Sequence, residues 1–325
     1  MPRYLVTGVA GFIGASVAAQ LLLDGHEVLG LDNLNQAYDT RLKEWRLRRL
    51  LGRSGFEFRR VDITDRTALE GACGEGDFEA VINLAARAGV RQSVRSPREY
   101  FETNLQGTLN LLDLARGMGI TKFVQASTSS LYGAHNPLPF SEAADISRPL
   151  SPYAASKGAA EMLCHAFHHL HGLHVAVLRY FTVYGPAGRP DMSVFRFIQW
   201  IAEGRPVRLY GDGHQERDFT FVEDIARGTV AAIVTTGYEV FNLGGDRPNS
   251  ILETIRAIEA VVGRKATLEA HDTAPADLRS TWADIGKARA LLSWEPSVSF
   301  KDGLKACVDW YMAERRWAQS IDTSD

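Results

Sequence analysis

Two side chains that could move a proton lie four residues apart near the middle of the chain. Tyr153 and Lys157 belong to the stretch Ser-Pro-Tyr-Ala-Ala-Ser-Lys, and a helix would bring them onto one face. Pro152 suits the first turn of such a helix. A phenol has a reference pKa of about 10, and a neighbouring ammonium favours its charged form. Thr128, at the end of a predicted strand, adds a hydroxyl that could orient a substrate or relay its proton. These residues predict acid–base catalysis.

A glycine-rich turn lies near the start of the chain. Gly8, Gly11 and Gly14 are spaced by three and three, after a short apolar run and before a helical pattern that includes Phe12 and Ile13. Such glycines permit a tight turn, a close approach of backbone to a pyrophosphate and close packing of helix on strand. The following helix N-terminus would present free N–H groups to the phosphates. The turn predicts a dinucleotide site.

Two aspartates end the strands that follow this turn. Asp32 can accept hydrogen bonds from both ribose hydroxyls and repels a 2′-phosphate, which favours NAD over NADP. The alternative is a plain glycine turn with Asp32 as a helix cap. Asp62, followed by Ile63, could hold the adenine by a hydrogen bond and an apolar contact, although an aspartate at this place is also a common cap.

Short apolar runs alternate with helical periodicity through the first 180 residues. The runs predict strands at residues 3–6, 26–31, 56–60, 80–84, 122–126 and 174–179. The spacing of apolar residues predicts helices at 12–23, 65–72, 97–117 and 152–171. Alternation of this kind is typical of a parallel sheet covered by helices on both faces. We therefore predict an α/β fold with a Rossmann-type doubly wound parallel sheet, whose ligands bind at the carboxyl ends of the strands.

The pattern changes after about residue 180, where Gly and Pro become frequent. Short mixed elements follow, with helices predicted near residues 248–263 and 301–316. We predict a smaller mixed α/β lobe that binds the substrate. The expected division is a Rossmann NAD-binding domain of residues 1–180 with about 218–246, and a second domain of about 181–217 and 247–325.

The composition is that of a globular protein. Of 325 residues, 45% are hydrophobic and 23% charged, and the net charge is −3, which predicts no general attraction to nucleic acid or to an anionic membrane. The three cysteines form no metal or disulfide pattern and indicate a reducing compartment. With no signal peptide and no long apolar run, we expect a cytoplasmic protein without a membrane span. No metal site is predicted.

Two charged stretches have a functional and a structural interpretation. Residues 41–53 are rich in Arg and Lys, and could contact nucleic acid, but a solvated helix with Leu42, Trp45 and Leu50 turned inward is favoured. The histidines at positions 165, 168, 169 and 171 could bind a metal with Glu161 as a carboxylate partner. Exposed histidines on a helix are the favoured interpretation.

These motifs together resemble the extended short-chain dehydrogenases/reductases of the nucleotide-sugar epimerase/dehydratase type. The resemblance covers residues 1–315 and is strongest to the UDP-glucuronate 4-epimerases. The stretches that carry it are Asp32–Asn35, Ala88–Ser93 with Pro97, Tyr100 and Asn104, Phe181–Pro186, Gly188–Met192, and Gly211–Gly213 with Arg217–Phe219.

The resemblance implies a redox-neutral inversion at C4 of a UDP-sugar through a transient 4-keto sugar. Tyr153 would take the proton of the 4-hydroxyl, Thr128 would bond the 4-oxygen, and Lys157 would hold the nicotinamide ribose and lower the pKa of Tyr153. It implies tightly held NAD and a homodimer formed through helices near residues 97–117 and 152–171. The implied cofactor residues are Gly8, Gly11, Phe12, Ile13, Gly14, Asp32, Asn33, Asn35, Asp62, Ile63, Leu84, Ala85, Ala86, Asn104, Tyr153, Lys157 and Tyr180. The implied substrate residues are Arg91, Ser127, Thr128, Ser129, Thr182, Arg189, Arg217 and Asp277.

One departure within the family concerns the residues after Thr128. Dehydratases of the family carry Asp-Glu there and decarboxylases a Glu, whereas this chain has Ser129-Ser130-Leu131. Elimination needs a general acid at that position, so the departure disfavours a dehydratase, and the missing Glu disfavours a decarboxylase. Hydroxyls of Thr128, Ser129 and Thr182, with Arg189, could instead receive the C5 carboxylate of a uronic acid.

Alternatives remain for the arginines and for the activity. Arg189 could simply pair with Asp191, and Arg217, the expected diphosphate ligand, could pair with Asp218 or Asp224. The rival activities are a 4-epimerase of UDP-glucose or its N-acetylated relatives, a UDP-glucuronate decarboxylase, and a nucleotide-sensing regulator without catalysis. Intact Tyr153 and Lys157 disfavour the regulator.

Overall fold

The elements alternate along the chain much as the apolar pattern predicts. A computed structural model of the protein describes residues 1–74, 76–272 and 278–323. The strands are β1 (Arg3–Thr7), β2 (Glu27–Asp32), β3 (Phe56–Arg60), β4 (Ala80–Asn83), β5 (Lys122–Thr128), β6 (His174–Tyr180), β7 (Thr182–Tyr184), β8 (Val207–Tyr210), β9 (Glu216–Phe221), β10 (Tyr238–Leu243), β11 (Pro248–Ser250) and β12 (Leu268–His271). The helices are α1 (Phe12–Leu23), α2 (Thr40–Arg48), α3 (Arg66–Cys73), α4 (Val90–Arg95), α5 (Pro97–Phe101), α6 (Gly107–Gly117), α7 (Pro152–His171), α8 (Ser193–Glu203), α9 (Val222–Ala231), α10 (Ile251–Val262), α11 (Gly286–Leu292) and α12 (Phe300–Ala318).

The large sheet has seven parallel strands in the order β10-β6-β5-β4-β1-β2-β3. One apolar core joins one face of the sheet to α1 and α9, and another joins the opposite face to α3, α6 and α7. Burial on both faces explains why the strands have continuous apolar runs instead of alternation. The predicted doubly wound fold is therefore confirmed, and the carboxyl ends of β1, β2, β4 and β5 meet at one edge.

A third apolar core lies beside two small sheets. The first has the order β11-β9-β7 and the second pairs β12 with β8. Helices α8, α10 and α12 supply most of its buried side chains, and Leu42 of α2 joins them. These elements make up the smaller mixed α/β part of the fold. The division of the chain into two domains stays a prediction.

Two predicted helices differ from the structure. The helix expected at residues 97–117 consists of α5, a π-helical turn at Glu102–Gln106, and α6. The wider turn lies where Asn104 contacts neighbouring segments, and π-helical turns often occur at functional sites. The basic helix expected to be solvated is only partly so: Leu42 and Leu50 are buried as predicted, but Lys43 and Arg46 are also buried.

The histidines of α7 form no metal site. Within the described residues, no group of three or more His, Cys, Asp or Glu side chains could hold a metal ion. Glu161, the possible metal partner, pairs instead with Arg179 of β6, at 2.8 Å between Oε2 and Nη2. Of the helices in the described ranges, none is both long enough and apolar enough to cross a bilayer.

Candidate active site

The glycines in and after the turn between β1 and α1 have no room for side chains. A Cβ on Gly14 would lie 2.1 Å from the carbonyl oxygen of Gly8, and one on Gly11 would lie 2.8 Å from the same atom. Gly8 has a positive φ of 67°, and a Cβ there would meet the backbone of Ala85 at 2.8 Å. Glycine at these positions lets the turn fold back beneath the loop after β4, Leu84 to Ala86. Such a cradle fits a dinucleotide diphosphate at the N-terminus of α1.

Gly14→Ala is expected to lower the NAD retained per purified chain by more than half, because the new methyl group pushes α1 away from the turn. Overpacking of this kind costs about 1–3 kcal/mol. Gly71→Ala is the matched control, since a Cβ on that glycine of α3 has no atom within 4 Å. Absorbance of NAD released from denatured protein provides the measurement. Equal NAD content in both variants would contradict the role of Gly14.

Asp32 ends β2 with a buried carboxylate beside the turn. Its oxygens accept hydrogen bonds from the backbone amides of Ala10 at 3.1 Å and Leu34 at 2.8 Å. Lys43 of α2 places its ammonium 3.8 Å from Asp32 Oδ1 and donates to Asn35 at 3.2 Å. These bonds fix the carboxylate at the edge where a ribose would bind.

Asn33 joins this edge to the end of β3. Its amide nitrogen donates to Asp62 at 2.7 Å, and its oxygen accepts from Asn35 at 2.8 Å. Burial raises the pKa of Asp62, but hydrogen bonds from Thr64 and Asn33 outweigh burial and hold that pKa below its usual value. Ile63 is buried against Gly107.

The predicted catalytic residues come together where β5 ends against the first turns of α7. Ser151 caps this helix by accepting a hydrogen bond from the amide of Ala154 at 3.2 Å. Tyr153 and Lys157 project from one face, and the hydroxyl of Thr128 donates to the phenol oxygen. Lys157 is only 2% exposed.

Burial and neighbouring groups shift the pKa values of Tyr153 and Lys157. Burial raises the pKa of Tyr153, whereas the hydrogen bond from Thr128 and the charge of Arg189 lower it. The effect of Lys157 on the pKa of Tyr153 stays a prediction. Burial lowers the pKa of Lys157 to about 8, opposed by the negative charge of Glu161. No group in the described part of the chain accepts a hydrogen bond from its ammonium, which fits a contact with ribose hydroxyls.

Asn104 holds the loop after β4 against α7. Its side-chain oxygen accepts from the amide of Arg87 at 2.8 Å, and its nitrogen donates to the Arg87 carbonyl at 3.0 Å and to Ser156 Oγ at 2.9 Å. The neighbouring Tyr100 ring packs edge-on to Tyr153, 6.1 Å between centroids. The structure thus gives Asn104 a positioning role, and its contact with nicotinamide stays a prediction.

Arg189 also contacts the loop after β4. Its guanidinium pairs with Asp191, at 3.0 Å from Nε to Oδ1, and donates to the carbonyl of Ala88 at 3.2 Å. The hydroxyl of Tyr100 donates to that carbonyl as well, also at 3.2 Å. The alternative pairing of Arg189 with Asp191 is therefore present.

The other predicted ligand residues differ in their surroundings. Ser127 donates its hydroxyl to Glu161, and Tyr180 shares a hydrogen bond of 2.9 Å with Thr229 in the core. Thr182 lies at the start of β7, along the same crevice as Arg189. Ser129 begins the turn after β5. The roles predicted for these four residues stay predictions.

The predicted diphosphate and uridine residues lie farther along the chain. Arg91 lies over the ring of Tyr210, 4.5 Å from its centroid, and Arg217 donates to the carbonyl of Glu216. Asp218 accepts a hydrogen bond from the amide of Ala283 at 2.8 Å. Asp277 lies outside the described residues.

Sequence reasoning missed the buried basic residues of α2. Arg46 lies four residues after Leu42, so the face of α2 that carries the predicted apolar contact of Leu42 also carries Arg46, and Leu50 follows four residues later, just beyond the end of the helix. That spacing was the available signal. The Arg189–Asp191 pair was predicted as an alternative. The hydrogen bond from Arg189 to the backbone carbonyl of Ala88 was not, because no residue type marks a backbone carbonyl as a partner.

Comparison with known proteins defines the class. Residues 4–244 match the NAD dependent epimerase/dehydratase family, and the chain belongs to this family. A UDP-glucuronate 4-epimerase of Thermodesulfobacterium geofontis is 53% identical over 311 residues, which cover 95% of this chain and 96% of that protein.

Solved structures agree with this assignment. The UDP-glucuronic acid 4-epimerase of Bacillus cereus, in complex with UDP-glucuronic acid and NAD, superposes with a TM-score of 0.89 at 39% identity, covering 96% of this chain and 99% of that one. The UDP-glucose 4-epimerase of Thermotoga maritima, with UDP-glucose, gives 0.89 at 32% identity with the same coverage. The fold alone therefore does not separate the two sugars.

Proposed function

We propose that this protein is an NAD-dependent UDP-glucuronate 4-epimerase, an isomerase that converts UDP-glucuronic acid into UDP-galacturonic acid without decarboxylation. The observation that carries the proposal is the position of Arg189, which donates to the same Ala88 carbonyl as Tyr100, whose ring packs against Tyr153. The relative at 53% identity supports the same activity.

Tyr153 and Thr128 perform the proton step. When bound, NAD would supply the hydride chemistry, which is a reversible hydride transfer at C4 from either face of the sugar. Tyr153 accepts the proton of the 4-hydroxyl, and Thr128 keeps the phenol oxygen aligned through its hydrogen bond. Lys157 donates hydrogen bonds to the nicotinamide ribose, and its charge stabilises the phenolate once the ligands exclude water. The 4-keto sugar turns about its diphosphate before Tyr153 returns the proton.

The carboxylate must be held still while C4 is a ketone. A 4-keto uronic acid is a β-keto acid, and it loses CO₂ when its carboxylate bond aligns with the carbonyl π-system. Arg189, with the hydroxyls of Ser129 and Thr182, fixes the carboxylate away from that alignment. Arg217 and Arg91 neutralise the diphosphate, and Asp277 accepts from the uridine ribose.

NMR of the purified protein with UDP-glucuronate and no added NAD tests this function. Formation of the galacturonate epimer is the expected result, and it also reports retained cofactor. Release of CO₂ with a UDP-pentose product would overturn the proposal of a non-decarboxylating enzyme.

A 4-epimerase of neutral UDP-sugars is the second candidate. Arg189 is already neutralised by Asp191, so a neutral sugar would not leave a bare charge in the site. The Thermotoga maritima structure shows that the fold accepts UDP-glucose in that protein. Comparing UDP-glucuronate with UDP-glucose as substrates distinguishes the two activities.

We expect the protein to form a homodimer through α5 and α7. Met162 is 64% exposed and Leu170 69% exposed on α7, and Phe101 is also exposed at the end of α5. An apolar surface of this kind is typical of an interface.

Met162→Glu is expected to shift the protein to monomers in light scattering, because it buries an unpaired charge at the interface. Leu291→Glu, at an exposed site on α11, is the control; a monomeric wild type would refute the dimer.

The expected compartment is the cytoplasm. Cys73, Cys164 and Cys307 are all free and buried. Free thiols are typical of a reducing compartment.

A further inference from the structure

Arg46 of α2 is a buried cation that the proposed reaction does not use. Its side chain is 3% exposed. Among residues 1–74, 76–272 and 278–323, no carboxylate lies within 4 Å of its guanidinium. A buried charge without a partner costs several kcal/mol, so its surroundings must compensate it.

The guanidinium is held mainly by backbone oxygens from two separate segments. It donates to the carbonyl of Ala187 at 2.6 Å from Nη2 and 3.0 Å from Nε, and to that of Gly188 at 3.3 Å. On the other side it donates to the carbonyl of Ala10 at 3.3 Å and to the hydroxyl of Tyr38 at 2.7 Å. One side chain therefore joins the two segments.

Both segments belong to ligand sites. Ala10 lies inside the glycine-rich turn, whose amides face a diphosphate in folds of this type. Ala187 and Gly188 directly precede Arg189, the residue proposed to hold the sugar carboxylate. Ala187 has a positive φ of 52°, which a residue with a Cβ rarely adopts, and its carbonyl accepts two of the Arg46 hydrogen bonds.

We propose that Arg46 is a positioning residue that fastens the diphosphate turn to the loop carrying Arg189, so that NAD binding and placement of Arg189 depend on each other. The anionic cofactor compensates the buried charge of Arg46. Hydrogen bonds to Ala187 and Gly188 then hold the strained backbone that orients Arg189. The second half of this proposal rests on the proposed uronate specificity.

The first test measures NAD retained per chain after gel filtration. Arg46→Met keeps an unbranched apolar stem and removes the guanidinium with its charge, and we expect at least a tenfold loss of NAD affinity. Arg46→Lys restores charge and is expected to retain NAD nearly as the wild type does. Arg48→Met, at an exposed position of the same helix, is the matched control. NAD retention in Arg46→Met equal to that in Arg48→Met would overturn the role in cofactor binding.

The second test separates the substrate side. In NAD-loaded protein carrying Tyr153→Phe to prevent turnover, calorimetry gives the affinities for UDP-glucuronate and for UDP. Arg46→Lys is expected to weaken binding of UDP-glucuronate about fivefold or more and leave binding of UDP unchanged, because a compact ammonium lacks the planar fork that donates to Ala187 from two nitrogens and to Gly188 as well. Adding Arg189→Ala should abolish that difference, since the effect acts through Arg189. A loss for UDP-glucuronate that persists without Arg189, or no loss at all, would overturn the coupling.

If Arg46→Met does not fold, Tyr38→Phe tests whether the contacts of Arg46 support NAD binding. It removes only the hydroxyl that accepts from Arg46 Nη1. A smaller loss of NAD in the same direction is expected, and full retention would count against the proposal. Failure of uronate turnover in the wild type would instead refute the proposed function and leave the NAD test standing.

Discussion

Tyr153→Phe is expected to lower the kcat for UDP-glucuronate about 10²- to 10⁴-fold, the range that loss of a general acid or base produces. The ring keeps its place beside Tyr100, so the variant removes one oxygen and little packing. Without that oxygen, neither Thr128 nor Lys157 can take its place, since one is a hydroxyl donor and the other a buried ammonium. Turnover is measured by NMR at saturating substrate.

Binding data decide whether this loss is chemical. NAD content and the affinity for UDP-glucuronate should remain close to those of the wild type. Tyr100→Phe is the matched control: it removes a hydroxyl that donates only to the Ala88 carbonyl, and it should keep most of the activity. Turnover within threefold of wild type in Tyr153→Phe would exclude the tyrosine as the base.

Arg189→Ala is expected to lower kcat/KM for UDP-glucuronate about 10- to 150-fold, because a hydrogen bond to a charged group contributes about 1.5–3 kcal/mol. Activity on UDP-glucose, which lacks the carboxylate, should change little. The variant is also expected to release CO₂ in a measurable share of turnovers, since the carboxylate of the 4-keto sugar can then rotate. Both products are measured in one NMR time course.

Asp191→Asn provides the comparison for this variant. It removes the charge that pairs with Arg189 while keeping the arginine and its bond to Ala88. The uronate should therefore remain the preferred substrate. An unchanged ratio of the two activities in Arg189→Ala would show that the carboxylate is recognised elsewhere.

The fold and the proton-transfer residues were predictable because local sequence defines them. The glycines of the first turn, and the four-residue spacing of Tyr153 and Lys157, each determine a geometry within one element. Contacts between distant segments were not predictable in this way. The carbonyl of Ala88 accepts hydrogen bonds from both Tyr100 and Arg189. Every residue has a backbone carbonyl, so no residue type in the sequence marks this one as their partner.

The contacts that bury Arg46 in α2 are a second set that could not be predicted from local sequence. Charge alone indicated solvation for residues 41–53, yet Arg46 is buried because backbone oxygens from two loops surround it. Composition records the charge of a side chain but not the dipoles that stabilise it. Spacing from Leu42 and Leu50 was the better guide to that position.

The ion pair of Glu161 and Arg179 limits how the site can open. Glu161 lies one turn after Lys157 on α7, and Arg179 lies on β6 of the large sheet, so opening this helix locally would separate two buried charges. Separating such a pair costs about 3–5 kcal/mol. The catalytic helix and the central sheet therefore belong to one cooperative unfolding unit, whose amides exchange with solvent together.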